Sequence, residues 1–196
     1  TQILMLLRFI HRRISGAIHD ILNIIFQDIF PDGLLVANIQ RIYIRKKDDS
    51  MFTEQELAVI KEGLHRCSGL ESFSPALECR PDMNEINRLV AESIHDYFDP
   101  ILAEKEWVEF RVRARRSDKS FPLCSKDIEI AVATKIEEMF GESRLKVNLN
   151  NAEVSVGVEV RENNAMVYYT SYNGAGGLPV GSNSPVLALL SGGIDS

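Results

Sequence analysis

The chain has 196 residues, of which 45% are hydrophobic and 26% charged, and its net charge is −6 with an isoelectric point near 5.3. This composition is typical of folded globular proteins and excludes a disordered or fibrous chain. The length allows one large domain or two small ones. The negative net charge disfavours nucleic-acid binding, unless basic residues are concentrated on one part of the surface.

Membrane and metal-binding classes are also disfavoured. Apolar runs are too short for a membrane span, and the N-terminal basic residues follow the apolar ones, the reverse of a secretory signal. The cysteines Cys67, Cys79 and Cys124 are widely spaced and match no zinc-binding pattern, so we expect no metal site. We interpret each as a small apolar side chain rather than a nucleophile. Reduced thiols and no membrane segment favour a cytoplasmic protein.

The chain opens with a predicted helix, strands and a second helix. Isoleucines at helical spacing predict an amphipathic helix over residues 10–29. Residues 34–46 have an extended pattern. The sequence TEQE at 53–56 predicts a capping box, and the helix that it opens runs to about Cys67.

A strand closes this first unit. The stretch LESFSPALEC, residues 70–79, predicts a strand with a turn or bulge at Pro75. The resulting order is helix, strands, helix, strand. This order suits a ferredoxin-like sandwich if one more strand precedes Thr1.

The pattern then restarts. Residues 82–98 predict a helix, and WVEFRVRARR at 107–116 alternates between apolar and charged residues, which predicts a half-buried strand. Residues 125–140 predict another helix, with Ser125 as its N-cap and Gly141 after its end. Three strand-like runs follow, at 144–149, 154–161 and 165–171.

The last part of the chain differs in composition. The glycine-rich stretch NGAGGLPVG has the character of a linker. The apolar run PVLALL is typical of a strand buried on both faces of a parallel sheet. We therefore divide the chain into a first domain, a second domain, a linker and the opening of a third domain, at residues 1–79, 80–172, 173–184 and 185–196.

Arginines are concentrated on the alternating strand. Its period of two places Arg111, Arg113 and Arg115 on one face, and Arg116 and Lys119 follow closely. A solvated outer face is one interpretation. However, three adjacent like charges repel each other unless an anion or carboxylates neutralise them. Two further basic clusters favour a positive side that binds a polyanion, and they comprise Arg12, Arg13, Arg45, Lys46 and Lys47.

The chain ends in a phosphate-binding pattern, SGGIDS. Gly192 and Gly193 allow backbone N–H groups to approach an anion, and Ser191 and Ser196 add hydroxyl donors. Asp195 is suited to orienting the loop or helping to hold Mg²⁺ with a nucleotide. The Walker pattern is absent, and an ordinary serine and glycine turn is the alternative.

SGGIDS after a buried strand resembles the pyrophosphate loop of PP-loop ATP pyrophosphatases. Upstream, FRVRARRSDKSFPLCSKDIEIAVATKI resembles the central signature of the THUMP RNA-binding domain in tRNA 4-thiouridine sulfurtransferases. SFSPA at 72–76 resembles the end of the ferredoxin-like domain of that family. The N-terminal edge and residues 152–153 depart from the family pattern.

The resemblance implies an α+β protein: a ferredoxin-like domain, an α/β THUMP domain and the first strand and loop of a PP-loop domain. The family uses ATP to adenylate the C4 oxygen of the uridine at tRNA position 8, and a persulfide sulfur then displaces AMP. Sulfur transfer for thiamine thiazole, a cysteine desulfurase as sulfur donor and a homodimer are also implied. The implied ATP contacts are Ser191, Gly192, Gly193, Asp195 and Ser196.

The expected RNA contacts are Arg111, Arg113, Arg115, Arg116, Lys119 and Lys126. In the family the PP-loop domain continues beyond such a loop, so we expect these 196 residues to bind tRNA without catalysing. One alternative is a THUMP module of another tRNA-modifying enzyme, such as a methyltransferase or deaminase. Another is a protein that binds no RNA and has a solvated arginine face.

Overall fold

The computed structural model describes residues 2–9, 33–38, 41–48, 50–177 and Gly192. The predicted helix at 10–29 lies outside these residues. The strands are β1 Gln2–Phe9, β2 Gly33–Asn38, β3 Arg41–Lys46, β4 Leu70–Cys79, β5 Val108–Arg116, β6 Leu145–Val147, β7 Val154–Val160, β8 Ala165–Tyr168 and β9 Tyr172–Asn173. The described α-helices are α1 Glu54–His65, α2 Met83–Ser93, α3 His95–Glu104 and α4 Ser125–Phe140, and a 3₁₀ turn follows at Glu142–Arg144.

The described strands form one mixed sheet, in the order β2-β3-β1-β4-β8-β7-β5-β6. The first four of these pair antiparallel. In the second half, β5 lies parallel to both β6 and β7. An antiparallel pairing of β4 with β8 joins the two halves, so one sheet runs through both units of the protein.

The capping box predicted at the start of α1 is confirmed. The Thr53 hydroxyl accepts a hydrogen bond from the Glu56 N–H at 3.2 Å, and the Glu56 carboxylate accepts from the Thr53 N–H at 2.7 Å. Hydrogen bonds from Lys46 and Thr53 hold the pKa of Glu56 below its ordinary value. The helix packs Ile60 and Leu64 against β3 and β4 and so forms the first core.

The bulge predicted at Pro75 is wrong. Pro75 pairs in regular register with Met5 of β1, and the register shifts only where Phe9 pairs with Leu70. Pro75 lies between the part of β4 that pairs with β8 and the part that pairs with β9. Because proline has no backbone N–H, it cannot donate a hydrogen bond between strands, but at this position neither β8 nor β9 loses a partner.

The second core lies between β5, β7, β8 and three helices. Val108, Phe110 and Val112 are buried on β5, as the alternating pattern predicts. They pack against apolar residues of α2, α3 and α4. The face of β5 that carries the arginines is consequently the one turned away from this core.

The single helix predicted over residues 82–98 is wrong, because the structure has α2 and α3 there. The Ser93 hydroxyl bonds to the Leu89 carbonyl at 2.7 Å, an arrangement that bends helices. It also lies 2.7 Å from the Tyr169 hydroxyl, on the strand side of the core. Helix α3 then continues past Pro100, further than the sequence predicts.

The N-cap of α4 is Cys124, not Ser125 as predicted. The Asp127 carboxylate accepts a hydrogen bond from the Cys124 N–H at 3.2 Å, so Asp127 stands three residues after the cap. Hydrogen bonding at Cys124 holds the pKa of Asp127 below its ordinary value. Gly141 follows the helix as predicted, with a φ of 81°.

The chain after β8 returns to the first unit. Strand β9 pairs with β4, and the Tyr172 ring stacks on Phe73 with centroids 5.4 Å apart. The Gly69 N–H donates to the Gly176 carbonyl at 2.7 Å. The described part of the predicted linker, residues 173–177, thus lies against the first unit.

Candidate functional site

The face of β5 opposite the core carries the predicted basic residues. Arg113 and Arg115 are exposed and Arg111 is half-buried, all on the same side of the strand. The parallel neighbour β7 places Ser155, Gly157 and Glu159 beside them in register. The alternation read from the sequence therefore gives the correct face for all three arginines.

Arg111 and Arg113 hold the loop that follows β6. Arg111 donates to the Leu149 carbonyl at 3.1 Å and to the Ser155 hydroxyl at 3.0 Å. Arg113 donates to the same Leu149 carbonyl at 3.0 Å. These acceptors are neutral, so both guanidinium charges remain. Because a guanidinium has five N–H donors, both keep some for a ligand.

Arg116 orders the loop between β5 and α4. Its guanidinium donates to the carbonyls of Phe121 and Leu123, at 3.0 and 3.2 Å. Within this loop the Asp118 carboxylate accepts from the Ser120 N–H and hydroxyl. These bonds hold the pKa of Asp118 below its ordinary value, so the carboxylate is ionised at neutral pH. The buried Phe121 anchors the loop in the second core.

Three basic side chains lie at the end of β5, in the loop that follows it and in the first turn of α4. We call Arg115, Lys119 and Lys126 the basic cluster; all three are exposed. Lys126 approaches Glu129 only at 4.0 Å. Lys126 lies in the first turn of α4, where the positive end of the helix dipole also attracts an anion.

The cluster predicted at residues 45–47 is largely used within the protein. Arg45 pairs with Glu78 of β4, and Lys46 pairs with Glu56 at 2.8 Å. Arg12 and Arg13 lie outside the described residues. Of the predicted clusters, the one on β5 and α4 is therefore the described candidate for a polyanion.

The predicted ATP loop is not described at the level of its side chains. Gly192 is exposed, and Ser191, Gly193, Asp195 and Ser196 lie outside the described residues. Their role as ATP contacts remains a prediction.

A cavity of about 640 Å³ separates α1 from α2 and α3. Glu54, Glu92 and Asp96 line it, together with Tyr97 and Tyr169. Burial raises the pKa of both tyrosines, so their hydroxyls stay protonated at neutral pH. Lys61 also lines the cavity, but three carboxylates outnumber its one ammonium and disfavour an anionic ligand there.

Sequence reasoning missed the buried charges on the arginine face. Glu159 is 2% exposed and accepts from the Arg161 Nε at 2.9 Å. The Arg161 guanidinium lies 5.6 Å from the centroid of the Tyr43 ring, which belongs to the first unit. The period of two along β7 places Glu159 and Arg161 on one face, but their burial and the contact with Tyr43 depend on neighbouring strands, which single-sequence patterns do not contain.

The cysteines differ in their accessibility. Cys67 is buried, Cys79 is half-buried and Cys124 is exposed. Burial raises the pKa of Cys67, and burial together with nearby carboxylates raises that of Cys79 to about 11. Since the thiolate is the reactive form, both react slowly at neutral pH.

We expect iodoacetamide to modify Cys124 first, with Cys67 and Cys79 protected until the protein unfolds. Peptide mapping after timed exposure to the reagent measures the order of modification. The same reaction in concentrated urea, where all three thiols react, is the control. Modification of Cys79 at the rate of Cys124 would contradict the assignment.

The family model described as THUMP domain matches residues 80–170. This part of the chain is a THUMP domain. It begins after β4 and contains β5, α4 and the basic cluster. Throughout the described residues, each helix is too short or too polar to cross a bilayer.

Known proteins extend the comparison beyond the THUMP domain. A probable tRNA sulfurtransferase from Methanocaldococcus jannaschii is 37% identical over 133 residues, covering 68% of this chain and 34% of that relative. The crystal structure of PH1313 from Pyrococcus horikoshii has a TM-score of 0.73 at 26% identity, covering 92% of this chain and 58% of that one. A 4-thiouridine synthetase, solved with RNA and bound ATP, shares the fold: the TM-score is 0.68 at 21% identity, and 99% of this chain and 47% of that one are covered.

The predicted resemblance to the tRNA sulfurtransferases is confirmed by these relatives. The chain spans about a third of the length of the relative from M. jannaschii. Activities that require a whole enzyme are accordingly proposals for this chain.

Proposed function

We propose that the chain is the tRNA-binding part of a tRNA sulfurtransferase. The observation that carries the proposal is the basic cluster, which lies within a THUMP domain on a chain whose net charge is −6. Three exposed basic side chains, one of them in the first turn of α4, suit phosphate oxygens. The ordered loop that Arg116 maintains fixes the position of Lys119 before RNA arrives, which lowers the entropy cost of binding.

Each predicted arginine has a distinct part in this proposal. Arg115, Lys119 and Lys126 contact phosphates directly. Arg116 positions the loop, and Arg111 and Arg113 combine support of residues 149–150 with long-range attraction. Recognition of this kind depends on charge and shape and not on base sequence.

The first unit is proposed to be a ferredoxin-like domain that assists in gripping tRNA. The antiparallel strand order β2-β3-β1-β4, with α1 between β3 and β4, supports this assignment. Pairing of β4 with β8 gives the two units a common sheet. A rigid pair of domains of this kind presents a fixed surface to a folded RNA.

The wider activity is proposed from the relatives and from the SGGIDS motif. The parent enzyme would use ATP with Mg²⁺, held by Ser191, Gly192, Gly193, Asp195 and Ser196, to activate a uridine for replacement of its 4-oxygen by sulfur. A cysteine desulfurase as sulfur donor, a homodimer, a contribution to thiamine thiazole and a cytoplasmic location belong to the same proposal. The relatives named as sulfurtransferases favour it over a methyltransferase.

Binding of tRNA at increasing salt concentration tests the proposal. We expect the logarithm of the affinity to fall linearly with the logarithm of salt concentration, by about 0.7–0.9 for each phosphate contact. Replacing Arg115 by glutamine should reduce that slope by about 1. Undetectable binding at low salt, or an affinity that salt does not change, would refute the proposed function.

A further inference from the structure

The beginning of β5 has a different surface character from its end. Trp107 directly precedes the strand, and 36% of its surface is exposed to solvent. Val147 and Leu149, at and after the end of β6, are 58% and 52% exposed. Large exposed apolar side chains in a group mark interaction sites more often than isolated ones do. Val147 is in register with Phe110 and so lies on the other face of the sheet, and we call Trp107 and Leu149 the apolar patch.

The apolar patch lies on the same side of the sheet as the arginines. Lys146 pairs in register with Glu109. Glu109 lies two residues before Arg111 on β5 and therefore on the same face. The Lys146 Nζ lies 3.2 Å from the centroid of the Trp107 ring. The Leu149 carbonyl accepts from Arg111 and Arg113. One surface thus passes from Trp107 to Arg113.

Acidic side chains are interspersed with basic ones around Trp107, where the exposed Glu104 and Glu106 precede it, unlike at the basic cluster. Lys105 pairs with Glu153, whose carboxylate also accepts from the Glu109 N–H. The Glu109 carboxylate accepts from Asn148 at 2.8 Å. An indole ring itself has little attraction for phosphate, but it is suited to the flat face of a nucleobase.

We infer that Trp107 is a stacking site for an unpaired nucleobase, which rests on the proposed RNA-binding function. Trp107 and Arg111 are four strand residues apart, about 13 Å along the chain. A single strand can therefore place a base on Trp107 while its backbone follows the arginines. A stacked base displaces the Lys146 ammonium from the face of the Trp107 ring, and the ammonium then contacts the adjacent phosphate.

The fluorescence of the chain provides a direct test, because Trp107 is its single tryptophan. Titration of the 196-residue chain with short oligoadenylate should quench this fluorescence. The midpoint of the quenching curve should equal the midpoint of the binding curve. An abasic ribose-phosphate strand of the same length carries the phosphates without the bases. It should bind more weakly and leave the fluorescence unchanged.

Trp107→Ala should weaken oligoadenylate binding about tenfold, measured by the anisotropy of labelled RNA. Its affinity for the abasic strand should not change. Trp107→Phe retains a ring and should recover most of the affinity, and thermal unfolding of each variant verifies the fold. Equal losses in both variants would make the effect structural and overturn the inference.

The remaining outcomes separate this inference from the proposed function. Salt-dependent tRNA binding without quenching, and with unchanged affinity in Trp107→Ala, would overturn the stacking site and leave the proposed function standing. Failure to bind any RNA would overturn both. Quenching on concentrating the protein alone would assign the apolar patch to a contact between chains and overturn the stacking site.

Discussion

Replacing Glu159 by glutamine should lower the free energy of unfolding by about 3 kcal/mol, the range found when one partner of a buried ion pair is removed. Glu159 is 2% exposed, and the Arg161 side chain that donates to it is 12% exposed. Glutamine keeps the shape of glutamate but leaves the Arg161 charge without its ionic partner. Urea unfolding followed by circular dichroism measures the loss.

Glu162→Gln is the matched control. This residue is three positions further along the chain and exposed, so the same chemical change should alter stability by less than about 0.5 kcal/mol. Replacing Glu159 and Arg161 together by leucine and methionine should recover part of the loss, because an apolar pair has no charge to leave unpaired. An equal effect of Glu159→Gln and Glu162→Gln would contradict the buried pair.

The contribution of this pair extends beyond the THUMP domain. Arg161 faces the Tyr43 ring across the sheet, and Glu78 of β4 accepts from both Arg45 and Asn164. These contacts link the first unit with the second beside the β4–β8 pairing. Loss of Glu159 should therefore loosen the junction of the two units as well as the strand that carries it.

Features encoded by neighbouring residues could be predicted from the sequence. The capping box needs only Thr53 and Glu56, three positions apart, and the exposed face of β5 follows from a period of two. In both cases the physics is local. A pattern in one short segment suffices because the partners are fixed by backbone geometry.

Features that depend on distant partners could not be predicted. The Arg45–Glu78 pair joins residues 33 positions apart, and the Ser93–Tyr169 contact at the helix break joins residues 76 apart. Arg111 and Arg113 bind carbonyls of a loop whose position depends on the register of β6. Each requires knowledge of strand order, which composition and periodicity do not contain.

The largest effect on RNA binding is expected from reversing the charges of the basic cluster. Glutamate at positions 115, 119 and 126 should lower tRNA affinity by at least about a hundredfold at low salt, because three phosphate contacts become repulsive. The slope of log affinity against log salt should fall by about 2–3, at about 0.7–0.9 for each lost contact. Filter binding or anisotropy over a salt series measures both quantities.

A control variant with the same change in net charge distinguishes a local site from general repulsion. Arg66 and Arg80 are exposed, Lys135 is half-buried, and all three lie away from the end of β5. Their reversal should weaken binding much less and leave the slope nearly unchanged. If both triple variants lose the same affinity, RNA responds to net charge and the basic cluster is not its site. A selective loss would show that an acidic protein binds a polyanion through one concentrated group of cations, because screening confines each charge to about 8–10 Å.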